Sequence, residues 1–184
     1  TVHSGFQASK NSIAVGALTR TDGNSSFHCY GPVKDGRLKP EICGVGVNVY
    51  STFPFNSYRG GYSGTSMACP GVSGVAALIH QLYEDSTSNQ MPAHLLKGSL
   101  CNGADEMGRN GPDYQFGFGR VNAERTAAII GAKNYTLDSV RQNGVYTDTL
   151  YVQGDLTELK ILLCWNDPAA SPSASTLLVN DLDL

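Results

Sequence analysis

No stretch of this 184-residue chain is long and apolar enough for a membrane span, and no leader pattern opens it. The first residue is Thr1 rather than Met, so the chain is expected to be a piece cleaved or trimmed from a longer parent. The missing leader therefore does not locate that parent. Positive charge is scarce: 13 Lys and Arg against 16 Asp and Glu leave a formal net charge of −3. That balance supplies no electrostatic footprint for nucleic acid or an anionic membrane surface. Metal-ligand spacing is missing too. Cys29, Cys43, Cys69, Cys101 and Cys164 are widely separated and form no C-x-x-C pair. Buried thiols are favoured over a disulfide framework or a zinc site. No internal repeat or low-complexity tract is present.

What remains is globular material, 41% apolar and 16% charged, with a high glycine content of 21 residues that points to tight turns and close backbone approaches. Residues 12–18 form a short continuous apolar run, the pattern of a strand buried on both faces. Residues 31–40 read as a loop, 41–45 and 47–52 as short strands, and 53–64, with Pro54, Gly60, Gly61 and Gly64, as an irregular loop. A helix is expected over 66–84, where Val72, Val75, Ala76, Ile79 and Leu82 recur at helical spacing. Further helices are expected over 92–100, opened by Pro92, and 121–130, with a Gly-rich loop between them.

Beyond Gly131 the character changes. Residues 145–152 are rich in β-formers, Leu159, Ile161, Leu163 and Trp165 alternate with period two, and 177–184 is a third candidate strand. Residues 1–132 therefore read as α/β, and 133–184 as the beginning of an antiparallel β domain, too few strands to close a sandwich.

The most informative segment is Gly64-Thr65-Ser66-Met67-Ala68-Cys69-Pro70-Gly71. It sets Ser66 where a tight turn enters a helix of small residues. A serine at a helix start is most simply a capping residue. The same position also suits a nucleophile, because free amides and the helix dipole lie beside its hydroxyl.

Gly64-Thr65-Ser66-Met67-Ala68-x-Pro70 resembles the nucleophile motif of the subtilases, the subtilisin-like serine peptidases. Flanking segments agree in order: Ile13-Ala14-Val15-Gly16-Ala17, then Gly31-Pro32-x-Lys34-Asp35-Gly36-Arg37-x-Lys39-Pro40, then Gly117-Phe118-Gly119-Arg120-Val121-Asn122. Leu163-Cys164-Trp165-Asn166-Asp167 and the segment 178–184 resemble the subset of subtilases that carry a C-terminal β-sandwich of jelly-roll style. The fold implied is the C-terminal half of a doubly wound parallel-sheet peptidase domain, followed by the first strands of that sandwich. Two departures stand out. Tyr30 occupies a position where the family usually has arginine, and Gly44-Val45-Gly46 stands for the usual Ala-Pro-Gly.

The resemblance implies peptide-bond hydrolysis through an acyl-enzyme, with Ser66 as nucleophile, Ser66 N–H as one oxyanion donor, Thr65 as support for that hole, and Tyr62 on the leaving-group side of a polypeptide substrate. Simple capping for Thr65 and a surface aromatic for Tyr62 are the blander readings. Triad order in the family is Asp, His, Ser. The segments that would hold the Asp, the His and the oxyanion Asn precede the part matched here. The 184 residues alone are therefore expected to be inactive without the N-terminal half of the domain. None of the four histidines is expected to substitute: His80 lies roughly 21 Å along the helix from Ser66, and His3, His28 and His94 fall outside the motif.

The chemistry implied requires no cofactor. In the tail, Asp181 and Asp183 on one strand face, with Asn166 and Asp167, could hold structural calcium, although solvated carboxylates blunting a strand edge are the simpler account. Asn24-Ser25-Ser26 and Asn134-Tyr135-Thr136 are glycosylation sequons, meaningful only in a eukaryotic secretory pathway. By resemblance the parent is expected outside the cell or in its envelope. The alternative is a truncated or degenerate subtilase module that acts in protein interaction. An α/β-hydrolase is excluded, because it needs Gly-x-Ser-x-Gly followed by a later histidine.

Overall fold

The computed structural model describes residues 5–152, 154–155 and 157–184. A single 3-10 turn, Gly5–Ala8, precedes the first strand. Strands β1 (Val15–Leu18) and β2 (Ile42–Val45) pair in parallel, from Val15 opposite Ile42 to Leu18 opposite Val45. Ala17, Leu18, Ile42 and Cys43 are fully buried, as a parallel strand covered on both faces demands.

A third extended segment lies along the other side of β2. Phe118 N–H donates to Glu41 O (2.9 Å), Cys43 N–H to Gly119 O (2.8 Å), and Val121 N–H to Cys43 O (2.9 Å). Gly119 makes that approach at φ +112°, with the carbonyl of Asp105 where a side chain would go. The motif 117–122 thus works as backbone: Arg120 then pairs with Asp22 (2.7 Å) and Asp105 (2.8 Å), and Asn122 caps the next helix.

Helix α1 (Thr65–Thr87) runs across this small sheet. It packs Ala68 and Val72 on β2 through Gly44, where an added Cβ would lie 3.0 Å from Val72 Cγ2. Gly46 is tighter still: a Cβ there would stand 2.6 Å from Gly64 O, 2.8 Å from Ala17 Cβ and 3.1 Å from Ala68 Cβ. Helices α2 (Ala93–Asn102) and α3 (Ala123–Gly131) complete the layer. Leu100 and Ala104 join Ile42 and Val72 in one buried cluster, and Ile79, Tyr83, Met91, Leu95 and Ile130 form a second. Among the described residues no helix is long and apolar enough to cross a membrane.

One expectation is corrected. Residues 53–64 are not an irregular loop: β3 (Val49–Phe53) and β4 (Ser57–Tyr62) form an antiparallel hairpin. Its turn places Phe55 (φ 64°) and Asn56 (φ 54°) in the left-handed region, the geometry of a tight hairpin turn, achieved here without glycine. In the tail, the described residues of 145–152, 158–165 and 177–184 form no strand ladder. Alternation selects which face a strand would bury, but a ladder needs a neighbouring strand. Here Val145, Leu150, Leu159 and Ile161 are exposed.

The tail is nevertheless anchored. Asp167, buried, accepts from Lys10 Nζ (2.5 Å), Val179 N–H (2.9 Å) and Asn180 N–H (2.8 Å). Asn11 brackets the same residue, donating from Nδ2 to Asp167 O and accepting from Asp167 N–H, both at 3.0 Å. Leu177 N–H donates to Asp35 (3.1 Å). Nearby, Glu41 sits between Lys39 (2.5 Å) and Lys97 (2.7 Å) and accepts from Ala14 N–H (2.7 Å), so this buried carboxylate is fully paired.

Two predictions follow from these contacts. Gly46→Ala should destabilise the fold by about 1–3 kcal/mol, because the colliding atom is backbone that cannot rotate away; a denaturant midpoint equal to wild type would refute this. The second concerns acid. Burial alone would raise the Asp167 carboxyl, but Lys10 and the two amides outweigh it, and the group is lowered from 3.8 to about 2. A depressed carboxyl stabilises above its unfolded value and loses that contribution as pH falls through its folded one. Limited proteolysis of residues 133–180 should therefore rise as pH is lowered from about 4 to 2, with a contribution of roughly 1–2 kcal/mol lost. Asp167→Asn should show the raised cleavage already at neutral pH.

Candidate active site

The turn before α1 is suspended from the sheet by two backbone bonds. Gly46 N–H donates to Leu18 O at the end of β1 (2.9 Å), and Gly64 N–H donates to Gly46 O (2.8 Å). Gly64 O then accepts from Met67 N–H (3.0 Å) and Ala68 N–H (3.4 Å), which closes the first turn of the helix. Asn48 N–H adds a bond to Ser63 Oγ (2.9 Å). The relay sets the N-terminus of α1 at the C-terminal ends of β1 and β2, the edge at which open α/β sheets bind their ligands.

Ser66 is the second residue of α1 and is exposed. Its amide falls among the first helical N–H groups, which have no acceptor one turn back. Its Oγ has no hydrogen-bond partner among the described residues. Gly64, not a side chain, is the N-cap, and no side chain bonds to the cap. Ser66 is therefore free of the capping role that would account for it most simply. Thr65, also exposed, opens the helix. Tyr62 ends β4, half-buried, and its ring stacks on Phe53 at 6.1 Å with 20° between planes.

The described histidines stay apart from this turn. His80 points to Glu84, one helical turn further on (Nδ1 to Oε1 3.6 Å). His28 is buried against Ala17, whose N–H lies 3.2 Å from Nδ1. His94 is in the first turn of α2, and His3 lies outside the described residues. None of the described histidines makes a hydrogen bond to Ser66.

Of the residues named as calcium candidates, Asp167 alone is buried. Asp167 gives its oxygens to Lys10 and two amides, while Asn166, Asp181 and Asp183 are exposed. Among the described residues no group of three or more His, Cys, Asp or Glu side chains converges to hold a metal ion. The cysteines differ from one another. Burial, with Asp113 adding to it, pushes the Cys43 thiol up to about 12, and burial, with Glu41, does the same for Cys101. Cys69, by contrast, is exposed on α1.

Three residues at or beside the site carried only a weak sequence signal. Gly46 stood in the segment that departs from the usual Ala-Pro-Gly, yet its lack of a side chain is what lets the turn hang from β1. Arg59 and Phe53 were hidden by reading 53–64 as a loop. The alternation of Val49, Ser51 and Phe53 before a Pro-Phe-Asn turn was the signal available.

The Subtilase family, Peptidase S8, matches residues 3–119, which include the whole turn and its sheet. Alkaline elastase YaB of Bacillus sp. (strain YaB) is 40% identical over 114 residues, 62% of this chain and 26% of the relative. Subtilisin DY of Bacillus licheniformis is 35% identical over 124 residues, 67% of this chain and 40% of the relative. The serine protease/ABC transporter B family protein tagA of Dictyostelium discoideum is 28% identical over 196 residues, 87% of this chain but 11% of its own length. The chain thus spans well under half of each of these relatives, and the match to tagA reaches into the tail beyond Gly119. With the family matched across the sheet, the Gly46–Gly64 relay and the Ser66 turn, this chain belongs to the subtilase family.

Proposed function

We propose that this chain is part of a serine endopeptidase and that Ser66 is its nucleophile. The observation that carries the reading is an exposed serine at the second position of α1, with its hydroxyl unengaged, inside a matched subtilase domain. In the reaction proposed, Ser66 Oγ attacks the scissile carbonyl carbon and its proton passes to an imidazole. The carbonyl π electrons move onto oxygen, and the Ser66 N–H donates to that oxyanion. Collapse expels the amine, which takes the proton, and leaves an ester on Ser66 that water then hydrolyses. Thr65 supports the oxyanion side and Tyr62 borders the leaving-group side.

No base reaches Ser66 among the described residues. The histidine, its orienting aspartate and the second oxyanion donor are assigned to sequence outside these 184 residues, and the substrate is a polypeptide. Residues 133–184 are assigned to the start of an appended β-sandwich. The period-two alternation of Leu159, Ile161, Leu163 and Trp165 supports that assignment. Action outside the cell is the corresponding expectation.

Casein or peptide hydrolysis by the intact protein, compared with Ser66→Ala, tests the reading. In subtilisin itself, loss of the triad serine costs about 2 × 10⁶ in kcat, and a loss of that order is expected here. The 184 residues alone should show no turnover. Hydrolysis by the intact protein that survives Ser66→Ala would overturn the assignment. An intact protein with no hydrolysis at all would favour a non-catalytic interaction module.

A further inference from the structure

The hairpin ahead of the candidate nucleophile carries a charge that no carboxylate among the described residues answers. On β3 and β4 the register sets Ser51 opposite Arg59 and Phe53 opposite Ser57, with a shift between Val49 and Ser51 that accommodates Gly60 and Gly61. Gly61 (φ +87°) takes a conformation other residues rarely adopt, and the chain beyond it returns Tyr62 to the face that holds Phe53. The result is a three-part cluster: Tyr62 stacks on Phe53, and the Arg59 guanidinium carbon lies 5.3 Å from the Phe53 ring centroid.

A guanidinium resting on an aromatic face has its position partly fixed while its N–H edge stays open. No carboxylate pairs with Arg59 among the described residues, although the chain's other cation–carboxylate contacts include surface positions such as Arg120 with Asp22. The residue is exposed, as is Phe53 at 38%. This cluster is continuous with Tyr62, and Tyr62 is four residues from Ser66. Both are on the short path from the hairpin into α1.

We infer that Phe53, Arg59 and Tyr62 form a subsite for an acidic side chain on the leaving-group side of the polypeptide substrate. The inference rests on the reading of Ser66 as a peptidase nucleophile. Two features commit it to an acidic occupant. The only charge the cluster presents is positive and unpaired, and the planar fork of Arg59 suits a carboxylate. The aromatic pair supplies a firm, apolar floor for the methylene carbons of that side chain.

The test is a set of quenched fluorogenic peptides with one common acyl side and Glu, Gln or Lys within the first three leaving-group positions, cleaved by the intact protein. The readout is the ratio of kcat/KM between the Glu and Lys peptides, which a general loss of activity does not move. Wild type should prefer Glu over Lys by about fivefold at low salt, the scale of one exposed ion pair, and the preference should shrink as salt rises. Arg59→Glu should invert the ratio, Arg59→Gln should bring it near one, and Arg59→Lys should keep part of it. A Glu-to-Lys ratio unchanged in Arg59→Glu and Arg59→Gln, with turnover still abolished by Ser66→Ala, overturns this subsite and leaves the nucleophile assignment standing. Absence of Ser66-dependent turnover for every peptide overturns both.

Discussion

The architecture depends on one close backbone approach, that of Gly64 to Gly46. The carbonyl of Gly46 receives Gly64 N–H at 2.8 Å, and the space a side chain on Gly46 would need is already taken by Gly64 O, Ala17 and Ala68. The contact joins the end of β1 to the start of α1 with no side chain between them. Everything nearby inherits its precision: the helix cannot slide along β2 without breaking it, because Gly44 leaves only enough room for Val72. Interiors packed at crystal-like density transmit such a restraint rather than absorb it. Ser66, two residues into the helix, is held at the sheet's edge by this contact and not by any side-chain bond of its own among the described residues.

A second restraint is electrostatic and lies on the opposite flank. Glu41, which immediately precedes β2, accepts from Lys39, Lys97 and the amide of Ala14. Lys97 belongs to α2 and also donates to Lys10 O (2.9 Å) and Ser12 O (3.1 Å), so one buried carboxylate ties the segment before β1, the segment before β2 and a helix together. Burial lowers the Lys39 ammonium and Glu41 raises it in return, with burial the stronger influence. Such a network is costly to assemble and costlier to break on one side, since a single deletion strands a buried charge. Lys10 then extends it outward to Asp167, making the tail's anchor continuous with the core's own charge pairing.

What could be read from the sequence follows the distance over which each feature is decided. β1, β2 and α1 were legible because their signals are local: a continuous apolar run, a helical recurrence of Val72, Val75, Ile79 and Leu82, and a turn rich in glycine. Ser66 was legible because its motif is contiguous, although its freedom from capping was not. The hairpin was missed because Pro54, Gly60 and Gly61 are loop signals when counted, whereas in space they serve a tight turn and a bulge. Aromatic residues also occupy both of its faces, with Tyr50 stacked on Tyr58 at 6.0 Å, so the usual alternation of apolar and polar residues was blurred. The Asp167 anchor was beyond reach for another reason. Its partners Lys10 and Asn11 are more than 150 residues away, and no periodicity encodes a pair at that separation.

The hairpin's exposure bears on the subsite proposed for it. A two-stranded ribbon is marginal in water by itself, and this one stabilises each face with its own aromatic stack, Tyr50 on Tyr58 and Phe53 on Tyr62. The two stacks are not equivalent. That of Tyr50 and Tyr58 holds no charge, whereas that of Phe53 and Tyr62 carries Arg59 and leads directly into Thr65 and Ser66. In the proposed reaction, a serine at a helix N-terminus supplies reactivity but little discrimination, since the atoms it would meet are the same in every peptide bond. Discrimination has to come from groups placed a few residues along the bound chain. Among the described residues, the guanidinium beside Tyr62, with no carboxylate partner, is the group to which the proposal gives that task.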